Sequence, residues 1–215
     1  MGNQTILEKH NANHTHFKHD MVRFPWLAML FNAYEIIDKG VRVAIEKEKK
    51  RHKIDLSCRQ RCANCCKTHS DIPIYPLELA GIYWYVIEKI TGSVRQNLKK
   101  QLASHKKPYC PFLVSESCSI YPVRPVACRQ FNVFRKECSE GEDPYHTRRQ
   151  DVLTPIKEFT DKAFMIMLPF YGITNEADKH RAIKNNLLHA HVQNLHSVNW
   201  KSLANRMDIF DCKNL

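Results

Sequence analysis

The segment from Ser57 to His69, SCRQRCANCCKTH, places four thiols, Cys58, Cys62, Cys65 and Cys66, within nine residues. Few local folds tolerate such crowding, because the sulfurs must hold a common guest, close disulfides or lie inert in a core. Laid on an ideal helix at ~100° per residue, the four side chains fall in one stripe about as wide as the usual buried face of a helix. That placement predicts convergence on one site. The vicinal pair Cys65 and Cys66 need not serve the same atom, and one of them could serve a second ion, a labile position or packing.

With 215 residues the chain is long enough to bury a core without covalent staples. The apolar run FPWLAMLF, Phe24 to Phe31, is too short to cross a bilayer and has no small-residue cleavage site after it. Ile6 stands where a myristoylation signal needs Ser or Thr. No membrane partner is expected, and the expected compartment is the reducing cytoplasm, where cysteines are metal ligands or redox groups rather than structural disulfides. Soft thiolates suit zinc or an iron–sulfur cluster and disfavour magnesium and calcium.

Three further cysteines lie in the segment YCPFLVSESCSIYPVRPVACRQF, residues 109–131: Cys110, Cys118 and Cys128. Its three prolines exclude a continuous helix or strand, and Pro122 and Pro125 stiffen the stretch that sets where Cys118 and Cys128 arrive. The candidate metal ligands are therefore Cys58, Cys62, Cys65, Cys66, Cys110, Cys118 and Cys128. Arg124 and Arg129 bring donors and positive charge toward a thiolate-rich centre, and CPFL and SIYP supply an apolar wall. Cys138 follows in a charged loop, where the sequence leaves ligand and free thiol equally open. Cys212, near the end, is expected to be unpaired.

These residues carry a resemblance. CRQRCANCC, then CPFL, then CSIYPVRPVACRQF, resembles the YkgJ-like cysteine-cluster family of zinc- or iron-chelating domains, in order, spacing and flanking aromatics across residues 58–131, a third of the chain. One gap departs from the family pattern: three residues, RQR, separate Cys58 from Cys62 where the CxxCxxCC signature has two. The resemblance implies chelation of metal by the cysteines. One branch of the wider family, the flagellin lysine methylases, is understood to use an iron–sulfur cluster in methyl transfer, so it also implies an iron–sulfur protein methyltransferase-like enzyme as an alternative.

Cys58, Cys62 and Cys65 also spell CxxxCxxC, the spacing of radical-SAM enzymes. Against that class stand only six glycines, no alternating strand and helix pattern, and Asn64 where an aromatic usually precedes the third cysteine. Between the remaining guests, more than four cysteines in an aromatic-rich wrapping favour an iron–sulfur cluster, 4Fe–4S preferred, in a redox or group-transfer role. The alternative is zinc, closed by four thiolates as the staple of a structural or interaction module. No catalytic acid, base or nucleophile stands out, although Glu78, Glu88 and His69 lie within range of the cysteines. Tyr75, Tyr83, Trp84 and Tyr85 read as core.

The fold expected around this centre is mainly α, a helical bundle with a cysteine-rich, loop-bound metal centre. Residues 1–20 read as a flexible His-rich arm, and 21–215 as a single helical domain with a metal-binding core over 58–138. Helical periodicity runs over 25–50, 77–90, 93–107, 148–170 with a break at Pro155, and 175–197. The 33 basic residues exceed the 22 acidic ones by 11, yet they are spread along the chain, so nucleic acid is not the favoured partner. A protein or small-molecule partner is left unspecified.

Overall fold

The computed structural model describes residues 16–59, 62–104 and 109–213, and the rest of the expected arm, 1–15, lies outside them. Ten α-helices dominate these residues: α1 (Lys18–Arg23), α2 (Pro25–His52), α3 (Asn64–Thr68), α4 (Pro76–Glu88), α5 (Gly92–Ala103), α6 (Val126–Gln130), α7 (Pro144–Thr147), α8 (Lys157–Met167), α9 (Glu176–Lys184) and α10 (Trp200–Lys213). The fold is mainly α, as expected. Two small antiparallel pairs complete it: β1 (Pro73–Ile74) with β4 (Gln193–Asn194), and β2 (Leu113–Val114) with β3 (Ser117–Cys118).

The 28-residue α2 is the spine. Pro25 occupies its first turn, where no backbone N–H is needed, and Leu27, Leu30, Phe31, Tyr34, Ile37, Val41 and Ile45 form its buried stripe. Basic residues fill the last turn and Lys53 closes it in the left-handed region, φ 52°. Against this stripe lie α8, α6, α4 and α1. Phe17, which the sequence assigns to the arm, is buried and stacks on Phe31, 5.6 Å between ring centres.

Two helical expectations need correction. The helix expected over 175–197 stops at Lys184: Asn175 caps its start by accepting from the N–H groups of Ala177 and Asp178, but Asn186 takes φ 52° and the chain turns into 3-10 segments and β4. Adjacent asparagines are a helix-ending signal, since Asn tolerates the left-handed conformation. Conversely, α10 was not anticipated, though Trp200, Leu203, Ala204 and Met207 recur at helical spacing and are all buried.

The spine meets α8 closely at Gly40. A β-carbon there would come 2.6 Å from Cβ of Phe159, the fixed root of a side chain rather than its movable end. Gly40→Val is expected to lower unfolding free energy by about 2 kcal/mol through overpacking, read from denaturant unfolding.

Candidate metal centre

Four pieces of backbone bring the cysteines together. The first is the extended segment ahead of Cys58, which pairs with residues 133–135: Ser57 N–H donates to Val133 O at 2.8 Å, Arg135 N–H to Asp55 O at 3.0 Å, and Leu56 bridges Phe134. The second is α3, which carries Cys65 and Cys66. The third is the turn and β2–β3 hairpin holding Cys110 and Cys118; its turn residues Ser115 and Glu116 both take positive φ, 49° and 58°, the geometry of a tight two-residue hairpin turn. The fourth is α6, with Cys128.

The expectation that Cys58 to Cys66 share one helical stripe does not hold. Helix begins only at Asn64, and Cys58 lies in extended chain. Convergence comes instead from tertiary contacts. Cys110 N–H donates to Cys66 O at 2.7 Å, which locks the CPFL turn onto α3, and thiol–thiol hydrogen bonds join Cys65 to Cys66 and Cys66 to Cys110. Cys118 and Cys128 stand in the electrostatic reach of Cys65. On the other side, Cys58 feels Cys62, Cys65 and Cys138, and Cys138 feels Cys62 and Cys65. Each of these eight thiols therefore lies in the electrostatic reach of at least one other, and Cys65 is common to most of the pairs; all are free, and Cys212 is exposed and apart from them in α10.

Burial and mutual repulsion keep most of these thiols neutral. Burial first, then neighbouring thiols, pushes Cys58 up to about 12 and Cys118 up to about 11. Burial likewise raises Cys128 and Cys138. For Cys65 the leading cause is its hydrogen bond with Cys66, and for Cys66 the one with Cys110. Among the described residues, no three Cys, His, Asp or Glu side chains stand together ready to hold a metal ion. A metal must both displace protons and draw sulfurs inward.

Around the thiols the wall is apolar: Phe112, Ile120, Val123 and Val126 are all buried. Phe112 packs edge-on against Trp200 at 4.7 Å, and Gln101 donates to Pro111 O at 2.8 Å and Leu113 O at 3.0 Å, so α10 and α5 seat the CPFL turn. Arg124 and Arg129 divide the roles expected of them. Arg124 lowers Cys65, Cys118 and Cys128 by its charge, and its Nε is buried without a hydrogen-bond partner. Arg129 works through the backbone: it pairs with Asp38 at 2.7 Å, donates to Pro122 O at 2.6 Å and Arg124 O at 2.9 Å, and lies 3.8 Å over the Tyr34 ring.

Glu78 is the residue that sequence reasoning undervalued. It is fully buried at the start of α4, where its carboxylate accepts from Tyr75 N–H at 3.0 Å and from Val126 N–H at 2.6 Å. One side chain thus caps α4 and holds the first turn of the helix bearing Cys128. The signal was Glu78 three residues after Tyr75, at the third position of a helix. Glu88, in contrast, pairs with exposed Arg23 at 3.3 Å, and His69 packs edge-on against Phe131 at 4.3 Å. Tyr75 and Trp84 are core, as expected.

The residue types, order and wrapping of this centre match a known family. Residues 57–151, a little under half of the chain, match the family model CxxCxxCC, described as a "putative zinc- or iron-chelating domain". Over these residues the chain is similar to the CxxCxxCC family. Its span takes in all eight neighbouring thiols, Cys138 among them, and the chemistry of a CxxCxxCC domain is metal chelation. No curated protein and no solved structure matches the chain. No helix among the described residues is long and apolar enough to cross a membrane.

The donor set fits a soft metal guest: the coupled groups around Cys65 are thiols, and the orphaned Nε of Arg124 has a donor to offer sulfur. The Glu78 clamp gives a measurable consequence. Glu78→Ala strands two buried N–H groups and is expected to cost about 3 kcal/mol in unfolding free energy, whereas Glu88→Ala should cost less than about 1 kcal/mol. Burial pushes the Glu78 carboxyl from 4.5 up to about 7. Because the folded chain holds that proton more tightly, the contribution is full below about pH 4.5 and lost as pH rises through about 7. The Ala variant should lack that part of the pH dependence.

Proposed function

We propose that this domain is an iron–sulfur protein, its cluster held by thiolates drawn from Cys65, Cys66, Cys110, Cys118 and Cys128. The observation that carries this reading is a group of five thiols within electrostatic reach of one another through Cys65 and Cys66, one more than a single tetrahedral ion takes, beside the half-buried Arg124, whose Nε has no hydrogen-bond partner. When bound, such a cluster supplies one-electron chemistry or an open iron for group transfer. The chain's own part is to hold and tune. Phe112, Ile120, Val123 and Val126 exclude water, the Arg124 guanidinium offsets thiolate charge, and Arg129 with Glu78 fixes the loop that delivers Cys118 and Cys128. Zinc on four of these thiolates, as a staple for a binding module, is the rival outcome.

The test is anaerobic purification with elemental analysis, acid-labile sulfide determination and a visible spectrum. Iron and sulfide in comparable amounts, with a brown colour that bleaches on reduction, are expected. Stoichiometric zinc in a colourless sample would overturn the cluster. Cys118→Ser should lose the resident metal, while Cys212→Ser, far from the thiols, should keep it.

A further inference from the structure

A solvent-connected cavity of about 310 Å³ opens between α8 and the chain that leaves α9, with Gln130 at the end of α6 forming part of its wall. No cysteine lines it, and apart from Gln130 its lining falls after residue 151, outside the segment that matches the metal-chelating family. Its volume is within the range of small-molecule sites, about 300–1,000 Å³. We propose that this cavity binds a small uncharged organic molecule, which sets an amide-like or heteroaromatic edge against Gln130, Thr160 and Asn186 and an apolar body against Phe164 and Leu188. The inference goes beyond the metal centre and does not rest on it.

The apolar part of the wall is built into the core. Phe164, Ala182 and Leu188 are buried, and the Phe164 ring is held edge-on by Tyr75 at 4.9 Å and by His189 at 5.7 Å. The polar part is fixed in position but not used up. Gln130 Nε2 donates to Thr160 Oγ1 at 2.8 Å, which orients both side chains and leaves the second amide N–H and Oε1 of Gln130, and the hydroxyl proton of Thr160, for a ligand. Asn186, held at φ 52°, adds a second carboxamide. With the Tyr75 hydroxyl donating to His189 Nδ1 at 3.0 Å, the imidazole proton sits on Nε2 as a further donor.

Charge decides the class of ligand. Lys157 and Asp161, the Lys and the Asp of the lining, stand one helical turn apart and pair with each other. An ion entering the cavity would lose hydration and find no unpaired opposite charge to offset the loss. A neutral molecule loses little and gains partners. A carboxamide presents donor and acceptor side by side, the pattern that pairs with an amide or with a ring nitrogen beside an amino group, and this cavity has two of them flanking an apolar wall.

The experiment titrates the full chain, purified anaerobically, with benzamide, benzoate and benzylammonium, three molecules of one ring and similar size that differ in charge, and follows binding by saturation-transfer NMR. Saturable binding of benzamide is expected, at least ~10-fold tighter than that of either ion. Thr160→Val keeps the side-chain shape and removes the hydroxyl, and Asn186→Gly removes a carboxamide where the left-handed backbone accepts glycine. Each variant, once shown to be folded by circular dichroism, should bind benzamide ~5-fold more weakly with its metal content unchanged. No saturable binding of benzamide, equal affinity for all three molecules, or benzamide binding that both variants leave intact would overturn the site. Metal content is measured separately, so a chain that arrives without iron would sink the cluster reading and leave this one standing.

Discussion

The fold depends on one buried polar network, in which Asp38 and Tyr34 of the spine, Arg129 and Glu78 meet away from water. An isolated buried charge is strongly unfavourable, and removing one partner of a buried pair costs about 3–5 kcal/mol. Every member is accordingly engaged. Arg129 spends its donors on Asp38 and on the carbonyls of Pro122 and Arg124, and Glu78 accepts from the first N–H of α6. Between Cys118 and Cys128 the chain has only a 3-10 turn, Tyr121–Val123, before α6 begins at Val126. It is held to the α2 spine by these side chains, so the position of two thiols is set by a salt bridge one layer away from them.

That arrangement separates scaffold from site. The helices α2, α8, α4 and α10 pack largely through apolar side chains, and the polar network ties the Cys118–Cys128 segment to α2 and α4. The thiols are left as neutral, raised-pKa groups in contact with one another.

Much of this was legible in the residues, and the limits have physical causes. The stripe of Leu27, Leu30, Phe31, Tyr34, Ile37, Val41 and Ile45 specified α2 to within a turn, because a long helix buried on one face needs that period. The prolines of the 109–131 segment excluded one continuous helix or strand, and the segment is broken into a hairpin, a 3-10 turn and the short α6. The helix over 175–197 was overextended because its apolar residues continue past Asn185 and Asn186, and only the left-handed φ of Asn186 reveals the stop. Arranging Cys58 to Cys66 on one helix failed for a different reason: Cys58 is captured by pairing with residues 133–135, a contact 75 positions away for Val133 N–H and Cys58 Sγ. Glu78 and Asp38 look like surface carboxylates in sequence, since burial is decided by the arginine that meets them.

Long-range capture of Cys58 also sets where the first thiol of the cluster sits. The pairing of 55–58 with 133–135 fixes Cys58, Asn64 holds the Cys138 loop, and the Cys110 to Cys66 backbone bond draws the vicinal partner of Cys65 inward. Consecutive residues on α3 point about 100° apart. Cys65 and Cys66 therefore leave α3 in different directions while their sulfurs stay coupled, and Cys66 is the one that meets Cys110.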